Sequence, residues 1–141
     1  MTVRIVTDSA SDLTHDEATA LGIDVVPLSI RFGNDVFLDR VEIGIDEFYR
    51  RMADSEDLPQ TAAPAPGAFQ EVFRRRIADG ADAIVCINLS SGVSATMESA
   101  ELAARETSGE VRIVDSRSVT AGLGMRVVAA AEAAAGGAGA D

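Results

Sequence analysis

A chain of 141 residues has the length of one ordinary domain. Its 12 basic and 23 acidic residues leave a net charge of −11, which excludes a nucleic-acid or anionic-membrane surface, because both require clustered Lys and Arg. With 47% hydrophobic but only 4% aromatic residues, the core must be aliphatic, and no apolar run is long enough for stable membrane insertion.

Val3–Thr7 is β-branched and reads as a central strand, followed by the polar loop Thr7-Asp8-Ser9-Ala10-Ser11-Asp12. Thr14 with Glu17 three residues on has the form of a capping box, so a helix should run to about Leu21 and stop at Gly22. Asp12 is expected to cap that helix. Ile23–Phe32 reads as one strand bent at Pro27, Gly33-Asn34-Asp35 as a turn, and Val36–Leu38 as a short returning arm. Asp46–Met52 predicts a helix with Phe48, Tyr49 and Met52 facing inward. Asp54–Pro66, with three prolines, is the longest irregular stretch.

Pro66 suits the first turn of a helix over about Gly67–Ala78 that buries Phe69, Val72, Phe73 and Ile77. Ala83–Leu89 is an apolar strand, and its lone Cys86 reads as a small core residue. A single cysteine forms no internal disulfide, which fits a cytoplasmic, reducing location. A helix over Ala95–Thr107, a strand at Val111–Val114, the exit loop Asp115-Ser116-Arg117-Ser118 and a helix from about Val119 to Ala135 complete the pattern. Residues 1–135 thus form one α/β domain, and Gly136–Asp141 a Gly-rich tail.

Strands alternating with helices predict a doubly wound, mostly parallel sheet with helices on both faces. Ligands of such sheets lie beyond the carboxyl ends of the strands. Three predicted strand exits carry short polar residues: Asp8-Ser9, Ser90-Ser91 and Asp115-Ser116. The middle one leads through Gly92 to Ser94 and Thr96, where a helix begins. Hydroxyls gathered under a helix N-terminus, with its unpaired N–H groups and positive dipole end, suit an anion.

The other motifs carry less. His15, the only histidine, sits in the first turn of a predicted helix and lacks the neighbours of a Ser-His hydrolase. No His/Cys/Asp/Glu spacing suggests a metal site. Gly122-Leu123-Gly124 lies in a helix pattern and reads as close helix packing. Arg74-Arg75-Arg76 reads as a solvated helix face.

Four motifs in order, Thr7-Asp8-Ser9 through Asp12-Leu13, Gln60-Thr61-Ala62-Ala63-Pro64, Leu89–Ala100 and Val114-Asp115-Ser116, resemble the DegV family of bacterial fatty-acid-binding proteins. The resemblance implies a cytosolic, non-enzymatic carrier with no cofactor. Its ligand would be a long-chain fatty acid, with the carboxylate on hydroxyls and the tail in an apolar tunnel. In some members a separate fatty acid kinase phosphorylates the bound carboxylate. Thr61 matches the family's head-group threonine and Ser94 its head-group serine. Asp8, Ser9, Ser90, Ser91, Gly92, Thr96, Asp115 and Ser116 would support them. Ala95 stands where the family has Gly, and Ala62-Ala63 where it has Ser-Gln. The family's second α/β domain is not contained in these residues. Two other readings follow from the residues alone: a phosphate-binding enzyme of phosphoryl transfer or hydrolysis using Asp8 and the serines, and a structural half-domain without a ligand.

Overall fold

The computed structural model describes residues 1–141. In chain order the elements are β1 (Val3–Asp8), α1 (His15–Leu21), β2 (Ile23–Val26), β3 (Ser29–Phe32), β4 (Asp35–Leu38), α2 (Ile45–Asp54), β5 (Gln60–Ala62), α3 (Pro66–Ala78), β6 (Ala83–Asn88), α4 (Thr96–Arg105), β7 (Glu110–Asp115) and α5 (Thr120–Ala135). A 3-10 turn, Ser9–Ser11, follows β1. Four strands form a parallel sheet in the order β2-β1-β6-β7, and three form a small antiparallel sheet in the order β4-β3-β5. No helix is long and apolar enough to cross a membrane.

The parallel sheet is covered on both faces. Successive side chains of a strand point to opposite sides. Ile5 therefore packs with Leu89, Leu123 and Val127 under α1 and α5, while its neighbour Val6 packs with Phe69, Phe73 and Ala100 under α3 and α4. Burial on both sides is why β1 and β6 are continuous apolar runs. Cys86 lies fully buried in the second cluster, where burial pushes its thiol pKa up. From β1 the chain winds outward to β2, then returns to β6 and winds the other way to β7. The switch point lies between the carboxyl ends of β1 and β6.

The Thr14–Glu17 capping box is present, and Gly22 ends α1 at φ 64°, in the left-handed region that glycine adopts freely. Asp12 does not cap α1. It stands at φ 58°, and its carboxylate accepts from Arg40 at 2.7 Å.

Four other expectations are corrected. Ile23–Phe32 is two strands in different sheets, because Pro27 has no N–H to carry a ladder forward. The stretch from Asp54 to Pro66 contains a strand, β5, with Thr61 paired to Ile30. Arg74-Arg75-Arg76 is not a wholly solvated face: Arg76 donates twice to Asp24, at 2.6 and 2.7 Å, and Arg75 donates once, which pins α3 to β2. α2 buries none of its residues; Phe48 and Met52 are half-buried and Tyr49 is exposed.

The Gly122-Leu123-Gly124 stretch does serve close packing. A Cβ on Gly124 would stand 2.5 Å from the backbone oxygen of Ser11, so α5 can lie against the turn after β1 only with glycine there. We expect Gly124→Ala to destabilise the fold by about 1–3 kcal/mol through overpacking, although alanine is the better helix former. Urea denaturation checks this. A stabilised variant would show that the turn and α5 have room to separate.

Candidate functional site at the carboxyl edge of the parallel sheet

Asp8, the last residue of β1, is fully buried at the switch point. Its carboxylate accepts from the Ala10 N–H at 3.0 Å, the Leu89 N–H at 2.9 Å and Asn88 Nδ2 at 3.1 Å. The partner is thus backbone and amide, not a serine. Burial outweighs these bonds and raises the carboxyl pKa above its ordinary value. Beside it, the Thr7 hydroxyl donates to the Ile87 carbonyl at 2.8 Å, and the Ser9 hydroxyl accepts from the Leu28 N–H at 3.0 Å. Asp8 therefore occupies the crevice itself, and the Leu89 N–H is not open to a ligand.

The loop after β6 is tied to the exit of β7. The Ser91 hydroxyl donates to Asp115 Oδ2 at 2.5 Å, and the N–H groups of Ser91 and Arg117 donate to Oδ1 at 3.2 and 2.9 Å. The Ser91 hydroxyl first, then the Arg117 N–H, hold the Asp115 carboxyl below its usual range. Ser116 is buried; its N–H donates to the Asn88 carbonyl and its hydroxyl donates to the Ser118 carbonyl. The Ser90 hydroxyl accepts from the Gly92 N–H at 3.2 Å. Asp8, Ser9, Ser90, Ser91, Asp115 and Ser116 are therefore brought to one sheet edge, where they bond to one another's loops.

Two hydroxyls meet at the start of α4. Ser94 Oγ and Thr96 Oγ1 are 2.8 Å apart, and Ser94 Oγ accepts from the Thr96 N–H at 3.2 Å. Ala95 holds the cap position and makes no side-chain cap bond; Ser94, just before it, takes the Thr96 N–H, and no side chain accepts from the N–H of Met97 or Glu98. The dipole end is left for an anion, with the exposed Glu98 on the same first turn as the one acidic neighbour. Thr96 is buried and Ser94 half-buried.

Thr61 stands apart from this cluster. It is exposed on β5, and its hydroxyl bonds to nothing else in the chain. Its strand is nonetheless moored at the β1 exit: Ala62 pairs with Ser29, and the preceding Leu28 N–H is held by Ser9. His15 lies exposed in the first turn of α1.

Two features were not read from the sequence. The Ser11 hydroxyl is buried without a partner. It belongs to a groove of about 430 Å³ between the turn after β1 and α5, lined also by Leu13, Gly124, Met125 and Val128 and by the acidic Asp12, Glu17 and Glu132. The missing side chain of Gly124 was the one local sign of it. A larger cleft, about 620 Å³, lies away from the serine loop, between α1, β2 and the segment 39–45.

The opposite pKa shifts have opposite consequences. Asp115, held low, contributes stability that is present above the ordinary carboxylate pKa and is lost as pH falls through its folded value. Asp8, held high, binds its proton more readily when folded, so its contribution falls as pH rises from the ordinary value through the raised one. We expect Asp8→Asn to destabilise by about 1–3 kcal/mol, since an amide NH2 must face at least one N–H donor. The deficit should narrow as pH rises above about 4. Urea titrations across that range check the sign; a deficit that widens with pH would mean hydrogen bonding outweighs burial.

The family described as "Uncharacterised protein, DegV family" matches residues 2–141. A DegV domain-containing protein of Deinococcus radiodurans is 36% identical over 132 residues, covering 94% of this chain and 47% of the relative. A solved DegV family protein from Thermus thermophilus, described for its fatty acid binding, superposes with a TM-score of 0.89 at 35% identity, over 99% of this chain and 49% of the other. A stearic acid-binding protein from Eubacterium ventriosum gives 0.90 at 28% identity, over 97% and 49%. The chain thus spans about half the length of these relatives. A match that runs from the second residue to the last, on a shared α/β architecture, means that the chain belongs to the DegV family.

Proposed function

We propose that this chain binds a long-chain fatty acid without catalysing a reaction, holding the carboxylate between the Ser94 hydroxyl at the open end of α4 and the Thr61 hydroxyl on β5. The observation that carries this reading is the pairing of uncharged hydroxyls with a helix end where only the first N–H is taken by a side chain, at a sheet edge whose carboxylates are already engaged. An anion is attracted there, while Asp8 is sealed inward and Asp115 is tied to Ser91, which leaves neither poised as a base. No three His, Cys, Asp or Glu side chains gather as a metal-binding group. The solved relatives described as binding fatty acid or stearic acid, at 35% and 28% identity, favour the same ligand class.

The groove beside α5 is the surface we assign to the tail, with Leu13, Met125 and Val128 as its apolar contacts and Asp12, Glu17 and Glu132 along its wall. Residues Ala121–Val128 span roughly 11 Å of helix at 1.5 Å per residue. Met125 is 74% exposed on its rim, an apolar surface available to an acyl chain. Each hydrogen bond to the carboxylate contributes roughly 1.5–3 kcal/mol, and each buried methylene about 0.8 kcal/mol. The tail therefore dominates gross affinity and the hydroxyls set orientation. Presentation of the bound acid to a fatty acid kinase follows from the family resemblance. The acid end, held by donors that do not react with it, would remain the group offered to that enzyme.

Two outcomes are expected. Thr61→Ala with Ser94→Ala should weaken binding of a long-chain fatty acid by about tenfold or more, the equivalent of 1.4 kcal/mol, while leaving its methyl ester unaffected. Calorimetry with both ligands checks this, and an unchanged acid affinity would remove these residues from the site. The 141-residue chain should also bind more weakly than a full-length relative, because the groove beside α5 is open on one side. Mass spectrometry of lipid carried through purification, together with a fluorescent fatty-acid titration, measures it; tight binding by this chain would show that its own walls suffice.

A further inference from the structure

Residues 28–62, which carry β3, β4, α2 and β5, form a module only lightly fastened to the parallel sheet. None of them belongs to either core cluster. Leu28, Ile30 and Ile43 are buried outside both clusters. Three side-chain hydrogen bonds cross from the module to the sheet and its first helix. One is the Ser9 bond to the Leu28 N–H. The other two belong to Arg40, which donates to Asp12 Oδ1 at 2.7 Å and to the Leu13 carbonyl at 3.5 Å. Both partners of the ion pair have left-handed backbones, Asp12 at φ 58° and Arg40 at φ 62°. Asp12 takes up this conformation locally, ending the 3-10 turn with its N–H on the Ser9 carbonyl, as Asp readily does; in Arg40 it persists only where the surroundings enforce it.

The space behind this pair is not filled. The cleft of about 620 Å³ has Leu13, Ala18 and Ile23 on the sheet side and Val41, Gly44 and Ile45 on the module side. Beyond the buried Leu28, Ile30 and Ile43, the module faces α1 and β2 across this cleft, and the Arg40–Asp12 pair is the charged contact that spans the two sides. Thr61 rides on the module through its pairing with β3, whereas Ser94 belongs to the sheet.

We propose that Asp12 and Arg40 form a latch that seats the β3–β4–β5 module on the parallel sheet and so sets the spacing between Thr61 and Ser94. They are positioning residues for a carboxylate, which they do not touch. The latch itself is independent of any ligand; its coupling to binding rests on the head-group reading above. Release of the latch lowers the fraction of molecules in which the two hydroxyls are correctly spaced, and the apparent affinity falls with that fraction.

The test uses the 141-residue chain with Arg40→Gln, with Asp12→Asn, and with the exchanged pair Asp12→Arg plus Arg40→Asp. Hydrogen exchange followed by mass spectrometry should show the amides of β3, β4 and β5 exchanging about threefold faster in the single variants, with β1 and β6 unchanged and protection restored in the exchanged pair. In Arg40→Gln, binding of a fluorescent long-chain fatty acid should fall by about the same factor and that of its methyl ester by less; Asp12 lines the groove assigned to the tail, so the Asp12 variants are read by exchange alone. Unchanged exchange in β3–β5 would overturn the latch whatever the lipid data show. Faster exchange with unaltered acid affinity would overturn the coupling. If the parent chain binds no fatty acid, the head-group reading fails and the coupling with it, and the exchange data still decide whether the latch exists.

Discussion

The carboxylate of Asp8 governs the edge of the sheet where the site is built. It closes the crevice between β1 and β6, where an open α/β sheet leaves backbone donors unpaired, by accepting from the N–H of Leu89 and the amide of Asn88. A carboxylate held in a buried place is costly unless its oxygens are saturated with donors, and here three converge on it. The reward is positional. With β1 and β6 joined at their tips, the chain leaving β6 can go in only one direction, and that direction delivers Ser94 to the beginning of α4.

The remaining polar groups divide between scaffold and surface. Ser91, Asp115 and Ser116 tie the two later exits together through short bonds, and Ser9 fastens the antiparallel module to the first exit. Only Ser94, Thr96 and Thr61 keep a hydroxyl facing a helix end or a solvent-exposed strand. Such a site can attract a negative group.

Much of the architecture was legible because it rests on local rules. Thr14 and Glu17 make their reciprocal bonds within one turn, Gly22 needs a left-handed backbone at the helix end, and the alternating Ile5 and Val6 show that β1 is covered on two sides. What was missed depends on partners far along the chain. β5 is a three-residue strand between Pro59 and Pro64, too short to show alternation, and it exists because β3 lies alongside it. Asp12 looks like a helix cap until Arg40, 28 residues on, reaches it. Arg75 and Arg76 look solvated until Asp24 is found beneath them.

The sequence by itself determined the strand–helix alternation of the parallel sheet, its two-sided core and the gathering of hydroxyls at strand exits, because periodicity, caps and the right-handed crossover leave few alternatives. Only the tertiary structure decided which hydroxyls remain open. Ser90, Ser91 and Ser94 are alike as residue types, yet Ser91 is bound by Asp115, 24 residues on, while Ser90 and Ser94 each accept from the N–H two residues on and only Ser94 does so at the head of α4. That distinction depends on what stands opposite each side chain in space, and a hydrogen bond between distant residues leaves no trace in the local pattern of the chain.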